Sequence, residues 1–149
     1  MISLELVPEN FNDLGVECII VPISFLNVKN HIELIEESIK HFNDEIDWDE
    51  MFNINDAIER ISNGMVMYIL MSDKGVLGHT WFADKNNQRI IFNLFVRNKI
   101  ETKSYSGKEF VSNIIKRFEY GKPIYCDVDD WNEKSLRLLK KLGFIVQNK

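Results

Sequence analysis

Three apolar runs in close succession constrain this chain more than any other feature. They read "MVMYILM", "VLGHTWFA" and "RIIFNLFV", and are rich in the β-branched and aromatic side chains that suit a pleated surface. "SDKG" separates the first two and "DKNNQ" the next two, so an antiparallel meander follows. A sheet of that kind must bury at least one face against something else.

The flanking segments supply the cover. "NVKNHIELIEESIKHF" places Val28, Ile32, Ile35 and Ile39 at helical spacing. "INDAIERIS" fits a second, shorter helix, capped by Asn55 and stopped at Asn63-Gly64. Beyond the meander, "GKEFVSNIIKRFEY" aligns Phe110, Val111, Ile114, Ile115 and Phe118 on one helical face, and "GKP" ends it. "IYCDV" then alternates Ile124, Cys126 and Val128 to one side, as a half-buried strand does. In "DDWNEKSLRLLKKLGF", Asp130 is the expected N-cap, with Glu133 as capping-box partner. Leu136, Leu138, Leu139 and Leu142 carry the apolar stripe, and Gly143 with Phe144 forms a left-handed stop. "FIVQ" reads as a last short strand. Near the start, "SLELV" alternates like a strand, and Pro22 places "CIIVPI" at an edge or end.

The order is strand, two helices, three antiparallel strands, helix, strand, helix, strand: a mixed α/β sheet with about four flanking helices. The 149 residues suit one domain over 1–149. A net charge of -5 argues against a nucleic-acid face, which needs a basic patch to displace counterions from phosphate. Cys18 and Cys126 have no paired spacing, and the three histidines show no metal-binding pattern. No signal peptide or apolar run of spanning length appears, so a soluble, cytoplasmic protein without a membrane partner is expected.

This order, with the last helix, resembles the Gcn5-related N-acetyltransferase (GNAT) superfamily. The family's final motif can be written N-x-x-A-x-x-x-Y-x-x-x-G-F; Asn132, Ser135, Gly143 and Phe144 fall on its positions, with Ser for Ala. The resemblance spans about residues 17 to 147 and is specific in the last third. It implies a GNAT-like, mostly antiparallel sheet splayed between its strands 4 and 5, counted from "CIIVPI". Where the family adds a seventh strand, this chain has its extra "SLELV", expected to fill that edge.

The resemblance further implies acetyl-CoA as co-substrate, its pantetheine lying in the splay against backbone groups of Phe95 and Val96. Its pyrophosphate would rest on amides at the start of the next helix, where the helix dipole favours an anion. The family's loop, R/Q-x-x-G-x-G/A, reads "TKSYSGKEF" here. Gly107 keeps the second glycine, while Tyr105 replaces the first and Thr102 the leading Arg or Gln. Ser104, Ser106 and Lys103 or Lys108 remain as phosphate contacts, and Asn132 and Ser135 border the same site.

Acetyl transfer to an amine needs a base, and gains from a proton donor to the departing thiolate. The family's donor Tyr is replaced by Leu139, and "RIIFNLFV" lacks the carboxylate that many members carry there. Asp127, Asp129 and His79 are the substitute bases; Tyr105, Tyr120 and Tyr125 are the remaining hydroxyl donors. The acidic "NDEIDWDE" would attract a cationic acceptor. Two functions stay open. One is an acyl-CoA-dependent N-acetyltransferase acting on a small or protein amine. The other is a GNAT-like domain without catalysis, a binding or structural component of a larger assembly in a phage or bacterium. Leu139 and the altered loop favour the second, while the family resemblance makes the acetyltransferase the leading expectation.

Overall fold

A computed structural model describes residues 1–13, 17–46, 51–72, 75–85, 88–97, 107–117 and 123–147. In chain order the elements are β1 (Ile2–Leu6), β2 (Ile19–Ile23), α1 (Ile32–Glu45), α2 (Ile54–Ser62), β3 (Val66–Ser72), β4 (Gly75–Lys85) and β5 (Gln88–Val96). Then come α3 (Gly107–Ile115), β6 (Ile124–Val128), α4 (Glu133–Lys141) and β7 (Ile145–Val146). Among the described residues the strands make one sheet, ordered β2-β3-β4-β5-β6-β1-β7.

The meander appears as expected: β3, β4 and β5 pair antiparallel in sequence order, with β2 added outside β3. Pro22 is tolerated because β2 is an edge strand. β6 runs parallel to β5 and pairs with it only at Arg89–Ile124 and Ile90–Tyr125. Beyond those two pairs the strands separate, which is the splay.

β1 takes the place beside β6, pairing antiparallel with it from Ile2–Val128 to Leu6–Ile124. The short β7 then pairs with β1, so "SLELV" lies between the last two strands instead of ending the sheet. Leu4 and Leu6 are fully buried there, which is what holds the added strand in place.

Each face of the sheet has its own core. Met67 and Ile69 of β3 join Ile35, Ile39, Ala57 and Ile61 beneath α1 and α2. Tyr68 and Leu70 point the other way, toward Phe110, Ile114, Leu139 and Phe144 of the α3–α4 layer. Two bulges interrupt this alternation. In β4 the register shifts after Leu70–Gly78, so Val76 shares the α1–α2 face with Trp81. Gly78, at the same bulge, admits no side chain, because a Cβ would strike the Phe95 carbonyl oxygen. In β5 an extra residue lies between Phe92, opposite Trp81, and Phe95, opposite His79. The backbone turns there through Asn93, whose φ is +53°.

Two caps differ from expectation. Helix α2 is capped by Asn53, not Asn55: its Oδ1 accepts from the Asp56 amide, and the Asp56 carboxylate accepts from the Asn53 amide. Helix α4 is capped by Asn132, not Asp130; Asn132 Oδ1 accepts from the Ser135 amide at 3.2 Å. Asp130 instead lies 2.9 Å from the Met1 amino nitrogen. Both segments hold several Asn and Asp residues, and the helix start selects the one at the right pitch. At the other end of α4, Gly143 has φ +108° and the Phe144 amide reaches back to Leu139, the expected stop. No helix among the described residues is long and apolar enough to cross a membrane.

Candidate functional site

Where β5 and β6 part, a cleft of about 630 Å³ opens between them. Its β5 wall runs from Ile91 to Phe95, and its β6 wall from Cys126 to Asp129. Phe42 of α1 and Ile46 just after it also line the cleft, as do Asn132, the cap of α4, and Ser135 and Leu139 within it. Arg97, just past β5, approaches Glu45 at the end of α1, Nε to Oε2 3.6 Å, and so ties the helix to the β5 wall.

Alternation along β6 decides which groups face which side. Ile124, Cys126 and Val128 are buried toward α3 and α4. Asp127 therefore projects to the α1–α2 side, where Ser3 Oγ of β1 donates to its Oδ1 at 2.6 Å. Asp129 follows the strand end, and both carboxylates are exposed at the cleft. Burial, and then the Asp127 charge, push the Cys126 thiol up to about 12, so it stays a neutral wall group.

His79 does not join these acids. Its ring is 2% exposed, lies against Phe42 and Phe95 at 5.6 and 5.5 Å, and places Nδ1 2.6 Å from Ser38 Oγ. Burial, with a smaller push from Arg60, draws its pKa down to about 3. The imidazole is a buried core group and is not among the residues that line the cleft. Of the two backbone contacts expected on β5, Phe95 lines the cleft, whereas Val96 pairs with Gly78 and is not in the wall.

No family model and no curated protein matches the chain. Solved structures do. A GNAT-family acetyltransferase from Bacillus cereus superposes with a TM-score of 0.63 at 13% identity, over 89% of this chain and 86% of its own. The fold is that of the GNAT acetyltransferases. AAC(6')-Iy, in complex with the bisubstrate analogue CoA-S-monomethyl-acetylneamine, matches at TM-score 0.60 and 14% identity, over 90% and 95% of the two chains. A functionally unknown conserved protein from Staphylococcus epidermidis gives 0.64 and 12%, over 98% of this chain. This chain spans 57% of that protein's length.

On the GNAT frame, the position of the motif tyrosine is Leu139, which is 3% exposed and contributes only methyl groups to the cleft. Gly107 is the first residue of α3. A Cβ there would come within 2.8 Å of Leu138 Cδ1, so its smallness already serves the packing of α3 on α4. Ser104, Tyr105 and Ser106, like Thr102, Lys103 and Tyr120, lie outside the described residues, as do Asp47–Glu50 of the acidic segment and the side chain of Lys108. Tyr125 approaches Glu5 across the β1–β6 pair, OH to Oε1 3.5 Å.

Three residues of the site region went unnoticed in the sequence. Trp131 is 78% exposed at the cleft mouth. Its lack of any place in the α4 leucine stripe was the available signal. Asn93 and Arg60 had none, because a bulge and a cross-element contact leave no local pattern.

Proposed function

We propose that the protein is an acyl-CoA-dependent N-acetyltransferase acting on an amine. One observation carries this reading: in a GNAT fold, β5–β6 pairing stops after Ile90–Tyr125 and a cleft begins there. The β5 edge beyond Ile91 lacks a paired strand among the described residues, and its backbone groups suit an extended amide-bearing chain such as pantetheine. The acceptor amine would meet the thioester beside Asp127 and Asp129. The amine nitrogen bonds to the acyl carbon, the carbon–sulfur bond breaks, and CoA leaves as thiolate. The amine's surplus proton passes through water to Asp129, and the thiolate takes a proton from solvent because Leu139 has none to give. CoA is linked to an acceptor analogue in the AAC(6')-Iy complex, which supports the choice of co-substrate.

Leu139 also supports a second reading, in which the cleft no longer catalyses and the fold serves as a binding or structural part of an assembly. The two readings separate by thermal denaturation with acetyl-CoA, followed by thiol release over a panel of amines. At 100 times its Kd, a ligand adds about 2.7 kcal/mol, a rise of several degrees in Tm. The enzyme reading expects that rise together with amine-dependent thiol release. A rise without release favours the binding role; no rise at millimolar acetyl-CoA removes the enzyme.

A further inference from the structure

Arg60 of α2 is a half-buried cation whose setting the fold does not explain. Its guanidinium carbon lies 4.8 Å from the Phe52 ring centroid, 5.0 Å from that of Trp81 and 5.5 Å from that of Phe92. Such faces attract a cation and leave its donor edge free. Among the described residues one of its five N–H donors has a hydrogen-bond partner: Nη1 donates to Asn93 Oδ1 at 3.2 Å. Among the described residues no carboxylate lies within ion-pair distance of Arg60. Asp56, the nearest acid in effect, accepts from the Asn53 amide.

Burying a guanidinium without a counter-charge is costly, and fixed charges of that kind are usually paired. Here the chain goes further. Asn93 lies in the β5 bulge, in a left-handed conformation that only a few residue types adopt readily. That turn brings its amide to Arg60. Asn93 and Phe42 line both the cleft and a small hollow under Arg60, His79 and Trp81, so the two spaces adjoin.

We propose that Arg60 is an anion anchor beside the cleft, so that the acceptor carries a carboxylate in addition to its amine. The polarity of the two walls fits such a molecule. Asp127 and Asp129 stand on the β6 wall and favour the ammonium form on arrival; Arg60 stands beyond Asn93 on the β5 wall and takes the carboxylate. An amino acid or a peptide-like amine with a nearby carboxylate has this chemistry; a simple alkylamine does not. The amine half of the inference rests on the acyl-transfer reading. The carboxylate half rests on Arg60 alone.

The test uses N-acetylglycine, N-acetylleucine and N-acetylglutamine, each beside its C-terminal carboxamide, as unreactive product analogues. Affinities are measured by calorimetry, and the Arg60 Nε–H resonance is followed by NMR in the ¹⁵N-labelled wild-type chain. At least one acid is expected to bind tenfold or more tightly than its amide, since hydrogen bonds to charged groups are the stronger kind. The acid should move the Arg60 resonance and the amide should not. Arg60→Gln should abolish the preference, and Arg60→Lys should retain part of it. Acids and amides binding alike, no acid binding at all, or a preference that survives Arg60→Gln would each overturn the anchor. The NMR arm needs no variant, so a poorly folded Arg60→Gln leaves the test intact. If the acids bind through Arg60 while acetyl-CoA gives no thermal shift, the anchor stands and acyl transfer falls. The reverse pair of results removes the anchor and spares acyl transfer.

Discussion

At the scale of single residues, His79 shows how strand context outweighs residue type. A histidine after Gly78 on a central strand resembles a catalytic base in sequence, because nothing local distinguishes an inward ring from one facing a cleft. Regular alternation with Trp81 along β4 points it toward Ser38 and the aromatic layer, and which face of that strand is buried is fixed only by the packed α1–α2 layer. The consequence is a pH dependence of stability. In the unfolded chain the imidazole titrates near 6.5, and in the fold burial holds it down to about 3. Above pH 6.5 both states are neutral and the stabilisation is complete. As pH falls below 6.5, the unfolded chain takes up a proton that the folded chain refuses, so stability drops by about 1.4 kcal/mol per unit until pH 3. Between pH 7 and 5 this amounts to roughly 2 kcal/mol. Urea denaturation at the two pH values should show a drop in the wild type that is smaller by about that amount in His79→Gln. Equal drops in both proteins would refute the assignment.

At the scale of elements, what was legible in the sequence followed period and punctuation. The alternation of Ile124, Cys126 and Val128 gave β6 its buried face, and Gly143-Phe144 marked the end of α4, because both signals are local. Cap positions were missed by two residues at both α2 and α4, since "DDWN" and "NIND" each offer more than one side chain able to cap. Tertiary geometry made the choice. This has a measurable form. Asn132→Ala removes the acceptor for the Ser135 amide and should cost about 1 kcal/mol in chemical denaturation. Asp130→Ala loses only an exposed contact with the Met1 amino group and should stay within about 0.5 kcal/mol of the wild type. The opposite ranking would restore Asp130 as the cap.

At the scale of the whole molecule, the sheet divides into a tightly paired half and an opened half. β2 to β5 form one antiparallel unit, bulged at two places, over the α1–α2 core, while β6, β1 and β7 form a second unit joined to the first by two residue pairs. The order of that second unit was beyond sequence reasoning, since "SLELV" and Ile124–Val128 are over a hundred residues apart and pairing at such range has no local pattern. The interlayer contacts of α3 and α4 hold the units together from one side and leave the cleft open on the other. Backbone groups along that opening exchange with water unless something pairs with them. Hydrogen–deuterium exchange followed by mass spectrometry should therefore find peptides covering 91–96 and 126–132 less protected than those of β3. Saturating acetyl-CoA should slow exchange in the first two while leaving β2 and β3 unchanged, because a chain laid in the splay reaches only the β5 and β6 edges. Protection spread evenly over the sheet would indicate global stabilisation by a ligand bound elsewhere. Protection confined to α2 would shift the site away from the splay altogether.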